Sequence, residues 1–141
     1  MMFPSRPALL AAFSLISAIA VADTTVSAPE ALDKVQAQES TLIDIRTPRE
    51  WRETGVPSGA LTIDMTGKTF VQDILDAVQG DRRAPIVLIC RTGNRTGYVL
   101  GALQNMGFTN VSHVAEGMAG SAAGPGWLRR GLPIEQCDET C

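Results

Sequence analysis

Residues Ile86-Val87-Leu88-Ile89-Cys90-Arg91-Thr92-Gly93-Asn94-Arg95-Thr96-Gly97 constrain this chain more than any other stretch. Four branched apolar residues in a row read as a short strand buried on both faces of a parallel sheet. The run ends on a cysteine. A loop with two arginines and a glycine follows, and a helical pattern begins directly after it. A cysteine at the carboxyl end of such a strand sits where open α/β sheets bind ligands. It also faces a helix N-terminus, whose free N–H groups and partial positive charge favour an anion. A thiolate is such an anion, so the position favours an ionised, nucleophilic sulfur. Arg91 and Arg95 act in the same direction and can hold an oxyanion. Most cysteines that end apolar strands are inert packing. Two arginines, a glycine and a helix start within six residues separate Cys90 from that majority.

The N-terminus reads as a secretory signal. Arg6 supplies a positive charge, Ala8 to Val21 form an apolar stretch broken by two serines, and Ala20-Val21-Ala22 is an A-x-A cleavage site. The apolar stretch is shorter than the ~20 residues needed to span a bilayer. Residues 1–22 are therefore expected to be removed, leaving a periplasmic or secreted protein with no membrane attachment. Removing 22 of 141 residues leaves 119, enough for one domain with one core. The full chain carries 12 Lys and Arg against 15 Asp and Glu, and loss of Arg6 makes it slightly more acidic. That balance, without a basic stripe, excludes nucleic acid as an expected partner.

Alternating segments give the architecture. Ser27-Ala28-Pro29-Glu30 and Thr47-Pro48-Arg49-Glu50 are both capping-box patterns with an early proline, each opening a helix. Thr41 to Ile45, Ala60 to Ile63, Ile86 to Ile89 and Thr109 to Val114 read as strands. Phe70 to Val78, stopped by Gly80, and Tyr98 to Met106, stopped by Gly107, have helical spacing. Strands alternating with helices predict an α/β fold around a mainly parallel sheet. Three cysteines remain after residue 22. Cys137 and Cys141, four apart, are spaced to bridge in a helical or turn geometry, which leaves Cys90 as the odd thiol; an incidental pair in a frayed tail is the alternative. Two thiols and a distant His113 do not have zinc-ligand spacing, so no metal is expected. His113 itself reads as a surface or half-buried strand residue, with no carboxylate at fixed spacing to orient it as a base. Trp51 and Trp127 read as hydrophobic anchors.

Four segments in order resemble the signatures of single-domain rhodaneses, the thiosulfate-type sulfurtransferases. They are Leu42 to Trp51, the turn Gly55-Val56-Pro57-Ser58-Gly59-Ala60, the loop Cys90 to Thr96, and Glu116-Gly117-Met118 with Trp127 and Gly131-Leu132-Pro133. The turn lacks the histidine usual there, and the connection between Gly117 and Trp127 is longer than usual. The resemblance implies a rhodanese-like domain over 23–136, a five-stranded sheet with helices on both faces, and a tail of 137–141 carrying the cysteine pair. It implies no cofactor.

The expected chemistry is sulfur transfer. The loop from Cys90 to Arg95 can curl so that successive N–H groups point inward as an anion nest. Cys90 would take sulfane sulfur from a small anionic donor such as thiosulfate, forming a persulfide, and a thiol or cyanide acceptor would remove it. A protein persulfide is a further candidate partner. Arg91, Thr92, Gly93, Asn94, Arg95 and Thr96 form the substrate-binding loop. Within it Arg91 attracts the donor, Arg95 braces against an acid of the Asp44–Glu50 region, and Gly93 needs a positive φ. Asp44, Arg46 and Glu50 are structural supports. Two alternatives stay open. One is a Cys-dependent phosphatase or arsenate reductase, against which the loop has four residues rather than five between Cys and Arg. The other is a non-catalytic carrier or adaptor, against which Cys90 is present.

Overall fold

The computed structural model describes residues 1–2, 23–139 and 141. The expected signal segment lies almost wholly outside the described residues. In chain order the elements are β1 (Thr25–Val26), α1 (Ala28–Gln36), β2 (Thr41–Asp44), α2 (Pro48–Thr54), β3 (Val56–Pro57), β4 (Leu61–Thr62), α3 (Phe70–Ala77), β5 (Ile86–Ile89), α4 (Asn94–Asn105), β6 (Val111–Val114) and β7 (Ile134–Glu135). Five strands form one parallel sheet in the order β1-β6-β5-β2-β4. The remaining two, β3 and β7, pair antiparallel beside it.

Strand β5 is central, and all four of its residues are buried. Side-chain alternation splits it between two cores. Ile86, Leu88 and Cys90 join Ile43, Ile45, Ile74, Val99 and Leu103 on the face covered by α3 and α4. Val87 and Ile89 join Leu42, Ala28, Ala31, Met118 and Trp127 on the face covered by α1 and the C-terminal segment. Apolar residues on both faces of one strand are what a parallel sheet between helical layers requires. Both tryptophans are buried anchors: Trp127 donates its indole N–H to the Pro133 carbonyl at 3.0 Å, and Trp51 packs with Val56 and Cys137.

Both expected capping boxes are present. Ser27 accepts from the Glu30 amide while Glu30 accepts from the Ser27 amide, and Thr47 and Glu50 repeat the arrangement at the start of α2. Each is stabilised by the same fact: a helix start leaves amide donors that an adjacent hydroxyl and carboxylate can take. Helix α3 ends at Ala77, before Gly80, through a turn in which Gln79 and Gly80 both have positive φ. Cys137 and Cys141 are joined as a disulfide with their Cα atoms 5.6 Å apart. Among the described residues no helix is long and apolar enough to cross a membrane.

Candidate active site

The site is built at the carboxyl end of β5. Cys90 follows Ile89 directly, and helix α4 begins four residues later at Asn94. Gly93 is the N-cap residue of α4, with φ +87°, in the left-handed region that glycine enters without penalty. Its freedom is needed twice over, because a Cβ there would overlap the carbonyl of Ala115. The Gly93 N–H donates to Cys90 Sγ at 3.2 Å. A loop that turns back on itself in this way places one amide on the sulfur, where the sequence predicts a nest of several.

Thr96, in the first turn of α4, supplies the second contact. Its Oγ1 lies 3.5 Å from Cys90 Sγ and donates to the Gly93 carbonyl at 3.1 Å. Cys90 and Thr96 are each 0% exposed, so the sulfur is covered rather than lying open at the floor of a cup. One side of it belongs to the apolar cluster under α4, and the other meets an amide and a hydroxyl. It is therefore a buried sulfur with polar partners, beside the N-terminus of helix α4.

Two separate parts of the chain clamp the loop. On one side, Arg95 forms a fork with Glu50: Nη1 to Oε2 at 2.7 Å and Nη2 to Oε1 at 2.6 Å. The Arg95 guanidinium holds the Glu50 carboxyl down at about 2, and Glu50 raises Arg95 in turn. Glu50 is fixed because α2 is fixed. Arg46, 1% exposed, pairs with buried Asp44 through Nε to Oδ1 at 3.0 Å and Nη2 to Oδ2 at 2.7 Å. The same guanidinium donates to Thr54 Oγ1 and the Gly55 carbonyl, at the end of α2 where a cation is favoured. Asp44 and Arg46 thus tie the end of β2 to α2, and α2 presents Glu50.

On the other side, the amides of Met118 and Ala119 donate to the Cys90 and Arg91 carbonyls at 2.9 and 2.8 Å. Gly117, with φ +66°, lets this segment approach, since a Cβ there would overlap the Arg91 carbonyl. Glu116 anchors the segment. Its carboxylate accepts from the Ala28 amide at 2.8 Å, the Gly126 amide at 2.7 Å and Arg130 Nε at 2.9 Å. Burial raises the Glu116 pKa, and these donors, Arg130 foremost, more than offset it to leave a lowered value.

The loop residues divide by placement. Arg91 and Asn94 are exposed, Thr92 and Arg95 half-buried, Gly93 and Thr96 buried. Arg91 takes part in none of the ion pairs among the described residues, so its charge is available to an anion. Arg95 is committed to Glu50. Thr96, read from sequence as part of the donor-binding loop, meets the sulfur from beneath. His113 was missed as a site residue. It is half-buried, as expected for a strand residue, but its Nδ1 lies 2.8 Å from Thr96 Oγ1, one hydroxyl away from Cys90. Among the described residues no group of His, Cys, Asp and Glu could hold a metal ion.

Residues 27–123 match the rhodanese-like domain model, and the chain belongs to that family. The uncharacterized protein RC0915 of Rickettsia conorii is 28% identical over 98 residues, which cover 65% of this chain and 80% of that protein. Thiosulfate sulfurtransferase from Pseudomonas aeruginosa shares the fold at a TM-score of 0.65 and 21% identity, over 82% of this chain and 21% of that one. The polysulfide-sulfur transferase homodimer from Wolinella succinogenes gives a TM-score of 0.63 and 24% identity, over 83% and 81%. The fold is therefore the rhodanese fold, as the resemblance implied.

Proposed function

We propose that this protein is a sulfurtransferase that carries sulfane sulfur as a persulfide on Cys90. Its donor is thiosulfate or a similar small anion, its acceptor a thiol, cyanide or a protein thiol, and it works after export, in the periplasm or outside the cell. The observation that carries this reading is Cys90 Sγ at the end of β5, taking the Gly93 N–H at 3.2 Å beside the Thr96 hydroxyl. Exposed Arg91 next to it provides the charge that would draw an anion in. Membership of the rhodanese-like family, with structural neighbours that include thiosulfate and polysulfide sulfurtransferases, supports the reaction class.

In the first half-reaction the Cys90 thiolate attacks the outer sulfur of thiosulfate. A Cys90 S–S bond forms, the donor's S–S bond breaks, and sulfite leaves with its electron pair. The persulfide's outer sulfur then carries the negative charge. In the second, cyanide or a thiolate attacks that outer sulfur, the Cys90 S–S bond breaks, and the thiolate is restored with thiocyanate or a new persulfide as product. Cys90 is covered in this structure, so sulfur transfer requires a path to Sγ to open for donor and acceptor.

Mass spectrometry of the full chain after thiosulfate treatment tests this. One added sulfur on Cys90, released by cyanide and absent in Cys90→Ser, is the expected result. An unmodified Cys90 would overturn the reading in favour of an adaptor. Phosphate release from an aryl phosphate without sulfur transfer would overturn it in favour of phosphatase chemistry.

A further inference from the structure

His113 is placed on the site by the sheet and not by its sequence neighbourhood. In β6 it shares a face with Val111, which packs into the cluster under α4, and it stands in register with Leu88 of β5, two residues before Cys90. Its backbone N–H is bound to the Thr24 carbonyl, which fixes the strand on the β1 side. The ring lies against Gly97 of α4: a Cβ on that residue would stand 3.8 Å from His113 Cε1, an ordinary packing distance. The ring nitrogen Nδ1 therefore meets Thr96 Oγ1 at 2.8 Å, and that same oxygen stands 3.5 Å from Cys90 Sγ.

Proton counting gives this chain a direction. Thr96 has one hydroxyl proton and three neighbours: the Gly93 carbonyl, Cys90 Sγ and His113 Nδ1. The carbonyl can only accept. While Cys90 is a thiol, its S–H can donate to the Thr96 oxygen and the Thr96 proton can stay on the carbonyl. Once Cys90 ionises, the sulfur becomes an acceptor and needs that proton. The Thr96 hydroxyl can swing onto the thiolate only if His113 does not compete for it, which requires Nδ1 to carry a hydrogen and donate to the Thr96 oxygen. A histidine with Nδ1 bare would pull the proton the other way and leave the thiolate with the Gly93 amide alone.

We propose that His113 is a positioning residue: through Nδ1–H it turns the Thr96 hydroxyl onto Cys90 and so favours the reactive thiolate. The proposal rests on the sulfurtransferase reading only for its consequence, faster sulfur transfer; the effect on Cys90 ionisation stands by itself. Among the described residues burial, and no charged group, is what perturbs His113. His113's partners in register are Thr25 and Leu88, its neighbour on α4 is Gly97, and the titratable group it reaches is Cys90 through Thr96. Desolvation of the half-buried ring lowers its pKa, so the ring is neutral at pH 7 and its tautomer sets the direction of donation.

The test is the ultraviolet absorbance of the Cys90 thiolate across pH in the full chain, with Cys90→Ser as the blank that removes tyrosine and disulfide contributions. Three variants are compared with wild type: His113→Leu, which removes the donor; His113→Asn, whose amide N–H can occupy the place of Nδ1–H; and Thr96→Val. His113→Leu and Thr96→Val should each move the midpoint of thiolate formation upward by about one pH unit, on the scale of one hydrogen bond to a charged group. Their double variant should shift no further than either alone, because both act through one hydroxyl. His113→Asn should recover at least half of the shift. An unchanged midpoint in His113→Leu would overturn the proposal, as would His113→Asn shifting as far as His113→Leu. Should Thr96→Val not fold, as judged by circular dichroism, Thr96→Ser takes its place and should titrate like wild type; a shift in that variant equal to that of His113→Leu would also overturn it. Failure to form a persulfide in wild type would instead refute sulfur transfer and leave this titration result standing.

Discussion

Replacing Glu50 by glutamine separates two tasks of one carboxylate. Glu50 closes the capping box of α2, and it also takes both terminal nitrogens of Arg95, at 2.6 and 2.7 Å. Glutamine keeps the volume and an acceptor oxygen for the cap, but it cannot offer two anionic oxygens to the guanidinium fork. The fork foremost, helped by the Thr47 amide and hydroxyl, lowers the Glu50 carboxyl from an ordinary 4.5 to about 2. At ~1.4 kcal/mol per pH unit that difference sets a ceiling of ~3 kcal/mol on the pairing. The Arg95 and Glu50 side chains are 32% and 21% exposed, so solvent screening reduces the expected loss. A figure of about 1–2 kcal/mol remains, above a surface pair and below a buried one. Because the folded state ionises this carboxyl at lower pH than the unfolded state, its stabilisation is complete above about pH 5 and drains away as pH falls from about 4.5 to about 2. Urea unfolding of wild type and Glu50→Gln at pH 7 and at about pH 3 measures both effects. The variant should be weaker by about 1–2 kcal/mol at neutral pH, and more than half of that gap should be gone at about pH 3. Equal stability at neutral pH, or a gap that does not change with acid, would refute the account of the fork.

Arg91→Ala should raise KM for an anionic donor roughly tenfold while changing the unfolding free energy in urea by less than about 0.5 kcal/mol, since Arg91 is exposed and takes part in no ion pair among the described residues. Added salt should narrow the difference from wild type, and a salt-independent KM would speak against a steering charge. Gly93→Ala should destabilise the fold by ~2 kcal/mol or more and remove sulfur transfer, because alanine at φ +87° would also overlap the Ala115 carbonyl. Thermal unfolding together with a thiosulfate:cyanide assay checks it, and wild-type behaviour in both would show that the loop can rearrange freely.

Local chemistry made much of this legible. Two capping boxes, an apolar run ending in cysteine and a glycine at the turn each declare themselves within a few residues, because their causes are local. Strands β1, β3 and β7 did not, for an equally physical reason. Each is two residues long, too short to show alternation, and exists because a partner edge is within reach. His113 was hidden in the same way. Its neighbourhood in sequence, Val111-Ser112-His113-Val114, has no cysteine and no carboxylate. Only the strand order, with β6 beside β5 and His113 level with Leu88, brings it to Thr96. One signal was present: His113 shares the period of Val111, so the ring had to point toward whichever helix covered that face.

The two clamps on the Cys90 loop explain why distant segments must act together. Glu50 holds Arg95 from the β2 side, while the amides of Met118 and Ala119 hold the Cys90 and Arg91 carbonyls from the β6 side. Neither clamp touches Sγ. Their combined effect is to leave the loop one path between β5 and α4, and on that path the Gly93 amide and the Thr96 hydroxyl meet the sulfur. A cysteine on the same strand with either clamp removed would keep its helix dipole but lose its fixed donors, and a free loop recovers such donors only by giving up chain entropy. The Cys90 sulfur is therefore positioned by residues far from it in sequence, Glu50 and Glu116 among them. Changes at those positions should act on the proposed sulfur transfer through the position of the loop.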